Sequence, residues 1–148
     1  MTSILWAKAD LISVGVGVND IIREKRRSAA CRLEYKSHLE WATIRPMLGV
    51  SITAKKATYL YGGFGFDWII AHHLLFSPNF AVGYYQKGDD KDLGFPLEFR
   101  SGLEAGWVFH NQMRLGAHFF HISNASLGSK NPGCETLIFF LSIPIARQ

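Results

Sequence analysis

The 148 residues fit one domain, and a net charge of +4 with 48% hydrophobic, 14% aromatic and 19% charged residues is more aromatic and less charged than an ordinary soluble domain. No apolar run of about 18 residues occurs, which excludes a transmembrane helix but not a membrane barrel, whose strands are short and alternate. The opening "MTSILWAKAD" lacks the basic start and long apolar stretch of a signal peptide, and the two cysteines offer neither metal spacing nor a disulfide framework.

Along the chain the dominant signal is alternation with period two. "DLISVGVGVND" sets Ile12, Val14, Val16 and Val18 against Ser13, Gly15, Gly17 and Asn19. "ACRLEYKSHLEW" sets Cys31, Leu33 and Tyr35 against Arg32, Glu34 and Lys36, and "RPMLGVSIT" sets Leu48, Val50 and Ile52 against Gly49, Ser51 and Thr53. "TYLYGGFGFDWII" puts Leu60, Phe64, Phe66 and Trp68 opposite Tyr59, Tyr61 and Asp67, and "NFAVGYYQ" groups Phe80, Val82 and Tyr84. "PLEFRSGLEAGWVF" opposes Leu97, Phe99, Leu103 and Trp107 to Glu98, Arg100, Glu104 and glycines; "MRLGAHFFHIS" and "ETLIFFLSIPI" follow. About eight strands with turn-rich gaps predict an all-β, eight-stranded antiparallel up-and-down barrel occupying residues 1–148 as a single domain.

Alternation does not say which face is inside. A soluble lipid-binding barrel hides its apolar face; a transmembrane barrel shows it to lipid. The polar face mixes Arg32, Glu34, Lys36, Glu98, Arg100, Glu104 and Arg114 with Gly15, Gly17, Gly102, Gly106 and Gly116. Small residues beside opposite charges suit the narrow bore of an eight-stranded barrel, whereas on a soluble surface such glycines only weaken strands. The pattern therefore favours a transmembrane barrel with structural charge pairs inside it.

The chemistry-bearing residues lie at the end of the chain. With the amino terminus on the periplasmic side, the seventh segment rises to the outside and ends at His121 and Ser123. "NASLGSKNPG" turns the chain, and the eighth segment descends from Glu135. Hairpin pairing brings Glu135 near His121 and Ser123. All three share their alternation phase with Phe119, Leu137 and Phe139, while His118, Phe120, Ile138 and Phe140 point into the bore. A Ser nucleophile needs a base to take its proton, and a His base needs an acceptor to fix its tautomer. Asn124 and Asn131 add amide donors for an oxyanion. A nucleophile at headgroup level on the outer wall is where a hydrolase of a membrane lipid needs one. By itself, a Ser two residues from a His on a strand is also ordinary surface chemistry.

The pattern H-x-S-N-A, a short loop, then N-P-G-x-E resembles the PagL-type lipid A 3-O-deacylases of Gram-negative outer membranes. It reads here as His121, Ser123, Asn124 and Ala125, then Asn131, Pro132, Gly133 and Glu135; "EFRSGLEAGWVF", residues 98–109, is similar to the family's preceding strand. The resemblance implies an outer-membrane barrel with Ser123 as nucleophile, His121 as base and Glu135 as orienter. It implies hydrolysis of the ester-linked 3-hydroxyacyl chain at the 3 position of lipid A in lipopolysaccharide, with no metal or other cofactor and no nucleic-acid partner. It also implies an oxyanion hole from the Asn131 side chain and a backbone N–H near Ser126, where a glycine is expected.

Other features have two readings each. Arg23, Arg26 and Arg27 in the first outer loop and Lys55 and Lys56 in the second suit lipid A phosphates, or are solvated loop charges. "KGDDKD", residues 87–92, is expected to be a solvated loop. His72 and His73 lie at an inner turn, and Cys31 and Cys134 sit too many strands apart to bridge. The competing functions are a non-catalytic small outer-membrane barrel and a soluble lipid-binding barrel. The oligomeric state, monomer or homodimer, is open.

Overall fold

The computed structural model describes residues 9–38 and 43–147. The tail of the second segment, at 39–41, and the opening residues 1–8 lie outside them. The strands are β1 (Ala9–Asn19), β2 (Ser28–Lys36), β3 (Ile44–Thr53), β4 (Thr58–Phe66), β5 (Trp68–Ile70), β6 (Leu74–Gln86), β7 (Leu97–Val108), β8 (Arg114–Ser123) and β9 (Cys134–Arg147). Every neighbouring pair is antiparallel. β1 pairs with both β2 and β9, and β4 pairs with β6, so the sheet closes. β4 and β5 are two parts of one stave, interrupted at Asp67, and eight staves make the barrel. The break falls where the Asp67 carboxylate is drawn inward. It pairs with Arg45 and Arg114 at 2.7 Å each and accepts a bond from Ser77 Oγ at 2.9 Å.

Alternation sorts the side chains as period two requires. On the outer wall Val16 is 66% and Phe139 59% exposed, and they are direct partners across β1 and β9. Their chain neighbours Ile138 and Phe140 are 0% and 2% exposed. Leu33, Leu48, Leu60, Phe80, Val82, Leu115 and Phe119 continue the apolar wall around the barrel. A contiguous apolar surface of this extent has no place in water. It is the wall of a barrel standing in lipid, and the soluble-cavity alternative, which needs this face inside, is excluded by the parity.

The bore is packed with charge. Glu34 meets Arg100 at 3.4 Å, Lys36 at 3.5 Å and the Tyr61 hydroxyl at 2.5 Å, and Glu104 meets Lys36 at 2.5 Å and Arg32 at 3.6 Å. His118 accepts from Arg32 at Nδ1 and so carries its proton on Nε2, which donates to Asn79 Oδ1 at 3.0 Å. Arg32, Glu34, Lys36, Arg100 and Glu104 form the expected interior pairs. Glu98 differs: its buried carboxylate has no partner among the described residues. Cys31 faces outward and Cys134 is buried; both are free thiols.

Candidate active site

β8 and β9 are joined by the loop 124–133, and their register places His121 directly opposite Glu135. Odd-numbered residues of both strands face outward there, so the two side chains meet on the lipid side of the wall. His121 Nδ1 lies 2.9 Å from Glu135 Oε1. A carboxylate only accepts, so the imidazole carries its proton on Nδ1 and leaves the Nε2 lone pair free to take another. The pair is accessible, with 43% and 25% of the two side chains exposed.

Ser123 ends β8, half-buried, two residues beyond His121 on the same face, and pairs with Phe99 of β7. The ring of His121 runs toward that end of the strand. Its Cε1 and Nε2 pack on Gly133, where an added Cβ would stand 2.6 Å from Cε1 and 3.3 Å from Nε2. Gly133 also holds φ +65, a left-handed conformation that only glycine adopts freely. The backbone at Gly133 is thus the shelf on which the imidazole lies, a role that the motif letters do not announce.

The loop orders its amides. Asn131 Oδ1 accepts the Asn124 backbone N–H at 3.0 Å, which fixes the amide orientation and leaves the Asn131 NH2 group on the outer surface as a donor. Asn124 is different from the expectation. Its side chain is 0% exposed, and its Nδ2 donates inward to the carbonyls of Leu93 (2.9 Å) and Lys130 (2.7 Å). Both N–H bonds are used within the protein, so the side chain supports the loop and does not face a ligand. Ala125 and Ser126 hold φ 52 and 64, each costing a non-glycine residue about 1–2 kcal/mol. Ser126 therefore has the conformation of the glycine expected there, and its neighbourhood stores backbone strain of the kind that collects at functional sites.

The outer cations divide. Ile21 N–H donates to Glu135 O at 3.0 Å, so the first outer loop starts beside the site. Arg27 Nε folds back to Ile21 O at 2.8 Å, which keeps its guanidinium at that near end. Arg23 and Arg26 are exposed on the same loop. Lys55 reaches Arg26 O at 3.4 Å, and Lys56 lies 4.0 Å from Asp89, both farther round the rim.

The segment 87–92 is solvated only in part: Lys87, Gly88, Asp89 and Asp92 are exposed, but Asp90 and Lys91 turn inward. Asp90 accepts from Ser28 Oγ (2.8 Å) and Thr53 Oγ1 (2.6 Å), and Lys91 forms a buried ion pair with Asp20 at 3.2 Å. Its partners come from three other parts of the chain, which is why local charge content misled; the one local hint is the apolar Leu93, 1% exposed, behind four charged residues. At the opposite rim His73 stacks on Trp107 with ring centroids 4.9 Å apart. No group of three His, Cys, Asp or Glu converges as a metal site among the described residues.

Comparison with known proteins bears on this geometry. "Lipid A deacylase PagL" of Pseudomonas aeruginosa is 39% identical over 56 residues, covering 38% of this chain and 32%, about a third, of that protein. In structure the chain is similar to the outer membrane enzyme PagL, with TM-score 0.75 and 21% identity over 91% of this chain and 99% of that one. It is also similar to a de novo designed transmembrane β-barrel, with TM-score 0.67 and 11% identity over 93% and 96% of the two chains. The family pattern described as lipid A 3-O-deacylase (PagL) matches residues 31–144, from β2 through most of β9, and the chain belongs to that family.

Proposed function

We propose that this protein is a lipid A 3-O-deacylase of a Gram-negative outer membrane, using Ser123, His121 and Glu135 as a hydrolytic triad. The observation that carries the reading is the 2.9 Å His121–Glu135 pair on the lipid-facing wall, with Ser123 on the same face at the outer end of the strand. Ser123 Oγ attacks the carbonyl of the ester-linked 3-hydroxyacyl chain while His121 Nε2 takes its proton. Glu135 holds the imidazole and offsets the positive charge that forms. The oxyanion is met by the Asn131 NH2 group and a backbone N–H near Ser126. His121 returns its proton to the 3-oxygen of the sugar as the C–O bond breaks. Water, deprotonated by the same nitrogen, then releases the fatty acid from Ser123. No step uses a metal. Arg27, linked to Glu135 through Ile21, with Arg23 and Arg26, gives the lipid A phosphates a counter-charge on one side of the ester; Lys55 and Lys56 serve from farther along the rim.

The deciding experiment is incubation of the folded barrel with lipopolysaccharide and mass spectrometry of the lipid A. The expected result is loss of one 3-hydroxyacyl chain, absent with Ser123→Ala. Unchanged lipid A would favour the non-catalytic barrel, and cleavage by pure folded Ser123→Ala would remove Ser123 from the role.

A further inference from the structure

The loop 87–96 leaves β6 and crosses the outer mouth. Asp90 ties it to β2 and β3 through Ser28 and Thr53, Lys91 to Asp20 before the first outer loop, and Tyr85 Oη donates to Lys91 O at 2.7 Å. A loop that only stopped the bore would end its contacts there. This one continues outward and grips the segment 124–133 at three points. Leu93 O accepts from buried Asn124 Nδ2, Asp92 meets Lys130 Nζ at 3.2 Å, and Gly94 lies flat against Lys130, where a Cβ would stand 2.3 Å from the Lys130 carbonyl oxygen. Asn124, once held by Leu93, presents its own N–H to Asn131. An unbroken series of bonds therefore runs from the barrel mouth to the amide assigned to the oxyanion.

We infer that the loop 87–96 is a brace that positions the segment 124–133 for the reaction, with Asp90 and Lys91 as positioning residues; this rests on the esterase reading above. The brace sets the Asn131 NH2 group relative to Ser123 without touching substrate. A misplaced oxyanion donor slows the chemical step more than it weakens binding. Misplacement should thus appear in kcat with KM little changed, whereas loss of folded protein lowers the active fraction and leaves both constants of the survivors unaltered.

The test uses the whole barrel with lipopolysaccharide, active sites being counted with a fluorophosphonate and folding read from heat-modifiable gel mobility. Lys91→Met should lower kcat per active site at least tenfold with KM within about twofold, and Lys91→Arg should recover most of it. Gly94→Ala, which intrudes on Lys130 and strains the loop at φ +88, should act in the same direction. It decides the matter alone if Lys91→Met does not fold. Wild-type kcat in folded Gly94→Ala, or in folded Lys91→Met, overturns the brace. Absence of esterase activity in the wild type, or its retention in Ser123→Ala, overturns the underlying reading first and the brace with it.

Discussion

His121 has one nitrogen committed to Glu135 and one kept free, and its ring also rests on a position that has no side chain. Gly133 supports the ring by having nothing to push it away. Gly133→Ala should therefore cost at least tenfold in turnover, because its Cβ must displace the imidazole and its φ is unfavourable. Gel mobility of the folded barrel should be unchanged. Glu135→Ala should lower turnover less than His121→Ala, by roughly ten- to a hundredfold, as removing an orienter leaves the base present. Equal rates for Glu135→Ala and wild type across pH would sink the orienting role. The pairing of His121 with Glu135 on the outer face was legible in the sequence because period two fixes the face of each residue and a hairpin fixes who stands opposite. The inward turn of the Asn124 amide was not, because its acceptors, the Leu93 and Lys130 carbonyls, are backbone atoms, and the first is 31 residues away.

The element least legible in sequence was the segment 87–92, whose Asp90 and Lys91 turn inward, and its acid response follows from what it touches. Burial alone raises the Asp90 carboxyl, but the bonds from Thr53, the Lys91 N–H and Ser28 outweigh it and hold the group below the ordinary carboxylate range. Its folded value is depressed, so its contribution is fully present above the unfolded value, near 4, and is lost as pH falls through the folded one. Asp92, outside the mouth, is lowered in the same direction by the Gly94 N–H and by Lys130. The loop should stay docked at neutral and mildly acid pH and loosen only below about pH 4. Limited proteolysis with pepsin, which cuts beside residues such as Leu93 and Phe95, would register this as cleavage that appears between about pH 4 and about pH 2 while the strands stay protected; cleavage already rapid at about pH 5 would contradict it.

The barrel as a whole inverts the usual arrangement, with charge at its centre and leucine and phenylalanine outside. That inversion was readable because interior glycines and opposite charges shared one phase over several strands, while the large apolar residues shared the other. The Asp67 break was not, since it depends on Arg45 and Arg114 from distant staves meeting one carboxylate. Two measurements test the inversion. Phe139→Lys should destabilise the inserted barrel by about 2–4 kcal/mol, the cost of a cation against the bilayer core, read from the denaturant midpoint in lipid vesicles. Spin labels at 119 and 139 should be relaxed by lipid-dissolved oxygen and labels at 118 and 138 protected, following the exposures of 46%, 59%, 0% and 0% at those positions.

Because His121 and Glu135 lie on the wall and not in the bore, the proposed lipid substrate should arrive sideways through the leaflet without crossing bulk water. Encounter is then a two-dimensional search, and the quantity that governs it is the number of substrate molecules per unit area. Diluting a suspension of vesicles carrying both protein and lipopolysaccharide should leave the rate per enzyme untouched, although the molar concentration falls. Adding inert phospholipid to those same vesicles should slow hydrolysis in proportion to the substrate's mole fraction. A rate that followed molar concentration instead would mean that the ester reaches Ser123 from the water.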